Sequence, residues 1–281
     1  MARMIDTVPG PPALPAGPLL PPGRHPLAPG LPEPWAAEWG QDRYGVFTAF
    51  AVGDVVQRLR WVPPGTFLMG SPEGEEGRRD LEGPRSPVTL TRGLWMGETP
   101  VTQALWRGVM DHNPSRFEED GRQRPVECVS WDDCQHFLER LHRVVPGLQP
   151  RLPTEAEWER ACRAGTDGAR YGRLDEIAWH DGNSGNGTRS VKQRLPNALG
   201  LYDILGNVWE WCSDCLGPYP PGPRVDPASV SPGSRRVIRG GSWSNPAGNV
   251  RAAYRSGYPP GFRFEFLGFR LARGHDQQAS Q

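Results

Sequence analysis

The chemistry open to this chain is bounded by its histidines, its cysteines and one cluster of oxygen-bearing side chains. Six histidines (His25, His112, His136, His142, His180 and His275) are scattered, with no pair at i, i+4 and no HExxH, so a zinc hydrolase has no ligand set. Cys212 and Cys215 form a lone CxxC, while Cys128, Cys134 and Cys162 stand singly. A structural zinc wants a fuller tetrahedral set, and the cysteines read instead as small buried or half-exposed thiols of a reducing compartment. GxSxG, a P-loop and a GxGxxG opening a helix are all missing, which leaves acyl transfer and nucleotide chemistry without an anchor. In NALGLYDILGNVWEWCSD, small residues and carboxylate or amide oxygens alternate around Trp209 and Trp211. Calcium takes roughly six to eight oxygens, and Asp203, Gly206, Asn207 and Glu210 could supply several. The alternative is that these residues cap turns while the two tryptophans fill the core.

The elements that must position such groups are short. VTQALWRGVM predicts a helix N-capped by Thr102, with Val101 and Trp106 at staple positions. SWDDCQHFLERLHRVV predicts a second, opened by Ser130 and Asp133, with Phe137, Leu138, Leu141, Val144 and Val145 on one apolar face. RLPTEAEWERACRAG predicts a third, with Thr154 and Glu157 as a capping box and Gly165 as its stop. Tyr44 to Val56, Val62 to Met69, RVIRGG and LGFRLAR read as strands, and SPEGEEGRRDLEGPRSP (Ser71 to Pro87) as a charged loop. No repeat appears at solenoid periods.

Lys and Arg (32) balance Asp and Glu (32), which gives no support to a nucleic-acid-binding role, where a basic face supplies much of the affinity. The 37% hydrophobic content is modest, and 35 Gly with 32 Pro argue against long helices or a large parallel sheet. No stretch approaches the ~18 apolar residues of a membrane span, and Met1 to Pro22 is too broken by proline for a signal-peptide core. A soluble chain, cytoplasmic by default, is expected. Residues 1–34, with eleven prolines, are expected to be a semi-extended arm; residues 35–273, which hold all 11 tryptophans, one domain; and residues 274–281 a tail.

FLMGSPEGEEGR, TPVTQALWRGVM, PVECVSWDDCQHFLERL, RLPTEAEWERACRAG, GLYDILGNVWEWCSD, RVIRGGSW and LGFRLAR together resemble the formylglycine-generating enzyme (sulfatase-modifying factor) family, from about Arg60 to Arg273. The resemblance implies an α+β, C-type-lectin-like fold of low regular structure, stabilised by calcium at Asp203, Gly206, Val208 and Glu210, with Gly206 and Val208 giving backbone carbonyls. It leaves open a second calcium site near Asn183 to Asn186. Catalytic members of the family oxidise a substrate cysteine with copper held by two cysteines after a Gly-Gly-Ser-aromatic turn. Here that turn is Gly240 to Trp243, and no cysteine follows it. Ser244, Asn245 and Val250 cannot replace the soft thiolate pair that copper(I) needs, so no copper and no formylglycine-forming activity are expected. An ergothioneine-type sulfoxide synthase is excluded by the histidine census.

The stretch between GNVRAA and LGFRLAR resembles the C-terminal variable region of diversity-generating retroelement variable proteins, many of which use this fold. Tyr254, Ser256, Gly257, Tyr258, Phe262, Phe264 and Phe266, with Ser244 and Asn245 before them, fit an origin by replacement at the adenines of AAC codons; Glu265 does not. Tyr and Phe give large contact area with few torsions to freeze, while Ser and Gly allow close approach, as in antibody loops. The resemblance therefore implies a non-enzymatic, receptor-like protein with a variable surface at about 244–266, binding an unknown partner, expected to be a protein, and itself expected to be a monomer. Arg251, Arg255, Arg263 and Arg270 are expected to brace the loops. One alternative is an enzyme or accessory maturation factor with a pocket near Asn249 and Arg251; another is an oligomerisation module. A simpler account of Phe262, Phe264 and Phe266 is one buried face of a strand.

Overall fold

A computed structural model of the chain describes residues 33–118, 122–229 and 235–274. The expected arm up to residue 32 and the expected tail beyond Gly274 lie outside them. The chain opens with strands β1 (Glu38–Asp42), β2 (Gly45–Val52), β3 (Val55–Val62), β4 (Gly65–Met69), β5 (Ser86–Leu90) and β6 (Leu94–Gly97). Helices α1 (Gln103–Met110), α2 (Trp131–Val144), α3 (Glu155–Arg163) and the single turn α4 (Leu174–Ile177) follow. The remainder is loop pinned by β7 (Trp209–Cys215), β8 (Arg224–Val225), β9 (Arg236–Arg239), β10 (Arg255–Tyr258), β11 (Leu267–Phe269) and β12 (Ala272–Gly274). This is the mixed α+β architecture with few helices and several small sheets that the sequence implied.

The sheets run β1-β2-β3-β6-β12, β10-β9-β7-β11 and β4-β5-β8. The stretch read as one strand from Tyr44 to Val56 is instead a hairpin, because Gly53, at φ 58°, turns the chain between β2 and β3. LGFRLAR likewise divides: β11 pairs in parallel with β7, while β12 crosses to pair antiparallel with β6. The C-terminal strand thereby ties the second sheet to the first.

Helix starts follow the capping chemistry. Thr102 Oγ1 accepts from Leu105 N, and Ser130 with Asp133 and Thr154 with Glu157 close reciprocal capping boxes. On α2, Phe137, Leu138 and Leu141 are buried as expected, but Val144 is exposed and Cys134 takes a place on the inner face. α3 ends at Arg163, with Ala164 left-handed at φ 47° as its C-cap and Gly165, at φ 92°, following as the expected stop. Trp106 stacks on Phe137 at 5.0 Å, and both meet Phe269 edge-on at 6.1 and 5.4 Å, joining α1, α2 and β11. Trp158, Leu201, Leu205 and Val237 centre a second apolar cluster.

A set of buried arginines, each held by several acceptors, braces the fold. Arg239 pairs with Glu159 and donates to the carbonyls of Ala252, Ala253 and Tyr254. Arg255 forks onto Glu155 at 2.6–2.7 Å and reaches Leu81 O and Gly217 O. Arg251 pairs with Glu75 and Glu82 and donates to Gly77 O. Arg270 holds Glu210, Gly97 O and Tyr202 O. The expected bracing of the C-terminal loops is thus present bond by bond, in place of regular secondary structure.

Candidate functional site

Between β10 and β11 the chain turns at Pro259-Pro260-Gly261, with Phe262 N donating to Pro259 O at 2.9 Å. Residues 259–266 are fixed chiefly through their own carbonyls. Trp131 N donates to Pro260 O (2.9 Å), Cys128 N and Leu267 N to Phe264 O (both 3.0 Å), Trp209 N to Phe266 O (2.8 Å) and Trp243 Nε1 to Glu265 O (3.1 Å). Two ion pairs flank the segment: Arg263 forks onto Asp133 at 2.7 and 2.8 Å, and Arg116 pairs with Glu265. Burial raises the Asp133 carboxyl, but Arg263 and the Ser130 donors outweigh it and hold the group below its usual range.

With the main chain held and the charged side chains drawn aside, the rings form a continuous strip. Tyr258 stacks on Phe262 at 4.2 Å, Phe262 lies parallel to Phe264 at 5.8 Å, and Phe264 leans on Phe266 at 4.6 Å. Phe264 is 44% exposed and the other three rings are half-buried. No strand includes residues 262–266, so the buried-face account of these phenylalanines fails; the turn and the carbonyl bonds preclude regular alternation.

The remaining expected surface residues divide. Ser244 is exposed and Ser256 half-buried. Asn245 is half-buried, with Oδ1 accepting from Ser242 N (3.0 Å) and Oγ (2.8 Å), so it clasps the turn at Gly240 and Gly241. Those glycines sit at φ 98° and 71°, and a Cβ on Gly240 would lie 2.9 Å from Ile204 O. Tyr254 is a correction: it is 4% exposed, packed on Trp209 at 5.7 Å and covered by Arg79. Gly257 is another, because a Cβ there would meet Arg236 O at 2.7 Å across the β9–β10 pairing. Both belong to the frame. Asp133 and Arg116, which set the flanks of the strip, were missed; the alternation of Arg263 and Glu265 between aromatic residues was the available signal.

A model of the sulfatase-modifying factor enzyme 1-like domain matches residues 47–275. The chain belongs to this family. It is 32% identical to the formylglycine-generating enzyme of Thermomonospora curvata over 271 residues, 82% of this chain and 80% of that one. To the formylglycine-generating enzyme of Streptomyces coelicolor it is 37% identical over 185 residues, covering 58% of this chain and only 57% of the relative. Among solved structures, Treponema denticola variable protein 1 superposes with a TM-score of 0.74 at 31% identity, covering 81% of this chain and 98% of that one. PvdO from Pseudomonas aeruginosa gives 0.73 at 27% identity, with the same coverage. The C-type-lectin-like fold and the resemblance to retroelement variable proteins therefore stand.

Within this sulfatase-modifying-factor domain, the residues implied as calcium ligands gather on the 203–210 segment. Asp203 is buried; Lys192 N (2.8 Å) and Asn207 Nδ2 (3.2 Å) donate to it, and burial pushes its carboxyl up to about 6. Among the described residues no cationic side chain pairs with this buried carboxylate, which suits a calcium ligand. Glu210 differs: its oxygens accept Arg270 and Trp158 Nε1 (2.7 Å), so it would have to release Arg270 to reach an ion. Gly206, at φ 78°, packs its backbone against Trp179 O, and Val208 is buried beside it. Asn183 is engaged internally by His180 N and Ala178 O. Among the described residues no three His, Cys, Asp or Glu side chains gather as a metal site, and no helix is long and apolar enough to cross a membrane. The five cysteines are free, and burial pushes the Cys212 thiol well up. Arg251, offered as a pocket residue, has its guanidinium fully engaged.

Proposed function

We propose that this protein is a non-enzymatic, receptor-like binding protein whose surface between Tyr258 and Phe266 was diversified by a retroelement and recognises another protein. The observation that carries this reading is the pairing of a main-chain-anchored loop with a partly exposed strip of aromatic side chains, Phe264 the most open of them. Tyr258, Phe262, Phe264 and Phe266 supply the anchors, in the manner of interface hot spots, and Ser256, Ser244 and Asn245 the polar margin. The absence of cysteine after Trp243 supports a lack of copper chemistry, and the scaffold is stabilised by calcium with Asp203 as its carboxylate ligand.

Comparison of the gene with a near-copy of its own 3′ end tests the diversification: differences confined to template adenines, falling in the codons of 244–266, are expected. Differences spread over other bases overturn it. Incubation with copper and a cysteine-containing peptide is expected to yield no formylglycine; turnover would move the chain to the catalytic members of its family.

A further inference from the structure

The charged loop from Ser71 to Pro87 plays no part in the aromatic strip, yet it is ordered around a cleft of about 530 Å³ lined by Ser71, Arg78, Gly83 and Arg85, with Glu73 and Asp80 also on its wall. Three buried donors of that wall, Ser71 Oγ, Arg78 Nε and Arg85 Nε, have no acceptor. Ser71 is 1% exposed. Buried donors are otherwise nearly always paired; Arg251, Arg255 and Arg270 hold carboxylates at about 2.6–3.1 Å, and although Arg239 also leaves its Nε unpaired, the Ser71 hydroxyl joins two such arginines on one wall. Arg78 meets Asp80 only at 3.7 Å, and Arg85 meets Asp167 at 3.5 Å; both carboxylates stand in water.

Space for the Arg78 guanidinium is made by Gly83. Its φ of −123° is open to any residue, but a Cβ there would lie 2.5 Å from Arg78 Nη2, so a larger residue would push the flexible guanidinium out of its present place. Both guanidinium groups remain partly open, with side chains 23% and 22% exposed.

We propose that this cleft is an oxyanion-binding site, taking a phosphate or carboxylate group between the guanidinium groups of Arg78 and Arg85, with Ser71 at its floor. Guanidinium forks match both groups geometrically. Glu73 and Asp80 keep the cleft from attracting polyanions such as nucleic acid, so the ligand is small or singly presented.

The test titrates the intact protein with inorganic phosphate, and separately with acetate, against sodium chloride at matched ionic strength. A specific rise in melting temperature of about 2–4 °C is expected at roughly ten times the dissociation constant, with amide NMR shifts confined to residues 70–85. Response to phosphate alone assigns a phosphate-class ligand, and response to acetate alone a carboxylate. Arg78→Gln with Arg85→Gln should abolish the rise, and Gly83→Ala, which displaces the Arg78 guanidinium, should weaken it. No anion-specific response, an equal response to chloride, or NMR shifts elsewhere on the wild-type protein would overturn the site even if the variants fail to fold.

Discussion

Phenylalanine 264 provides the sharpest test of the display surface. The residue keeps 44% of its area in water, so of about 200 Å² for a phenylalanine about 110 Å² is covered. At about 25 cal/mol per Å² that is at most ~2.8 kcal/mol, and compactness of the unfolded chain removes up to about 40% of it. Alanine retains a methyl's share of about 0.8 kcal/mol. Phe264→Ala should therefore cost ~1–2 kcal/mol, since the two main-chain bonds to Phe264 O survive the change. Phe269→Ala, three residues past Phe266 and 0% exposed, should cost about 3–5 kcal/mol because it also leaves a cavity. Urea unfolding of both variants beside the wild type reads the difference directly. A loss at Phe264 equal to that at Phe269 would mean that the strip is core, and the binding surface would go with it.

Glu159→Gln should cost about 3–5 kcal/mol in the same assay, since Arg239 and Arg163 lose a buried partner; Arg263→Gln, at an exposed pair, should cost under about 1 kcal/mol. Burial and the neighbouring Glu155 charge push the Asp214 carboxyl from 3.8 up to about 6. The folded state thus holds this proton at higher pH than the unfolded chain, so the contribution is full below about 4 and is lost as pH climbs through about 6. Asp214→Asn should flatten stability over that window, and an unchanged difference curve would contradict the shift. Removal of calcium by a chelator should lower the melting temperature of the wild type but not of Asp203→Ala; no bound calcium and no shift in the wild type would remove the ion from the scaffold.

The parts of the fold legible in sequence were those written in local chemistry. Thr102, Ser130 and Thr154 each announced a helix start because a cap needs only residues a few positions apart. The family motifs carried the fold. What escaped was whatever depends on distant pairing. Tyr254 has the composition of a contact residue, but Trp209 and Arg79 cover it; Gly257 resembles a diversified glycine, yet it is there because the backbone of Arg236 leaves no room. Val144 fits the helical period of α2 but lies at the edge of its buried face and stays exposed, while Val145 beside it is buried. The arginine braces could be foreseen as a class, whereas their individual partners, up to 176 positions away in the case of Arg251 and Glu75, could not.

A loop tied down by its carbonyls separates route from identity. Every residue type offers the same carbonyl oxygen, so the knots at Pro260, Phe264, Glu265 and Phe266 hold whichever side chains are written there. Under the proposed diversification, exchange of the side chains at Phe264 and Phe266 would alter the surface while the carbonyl bonds that hold the loop stay in place.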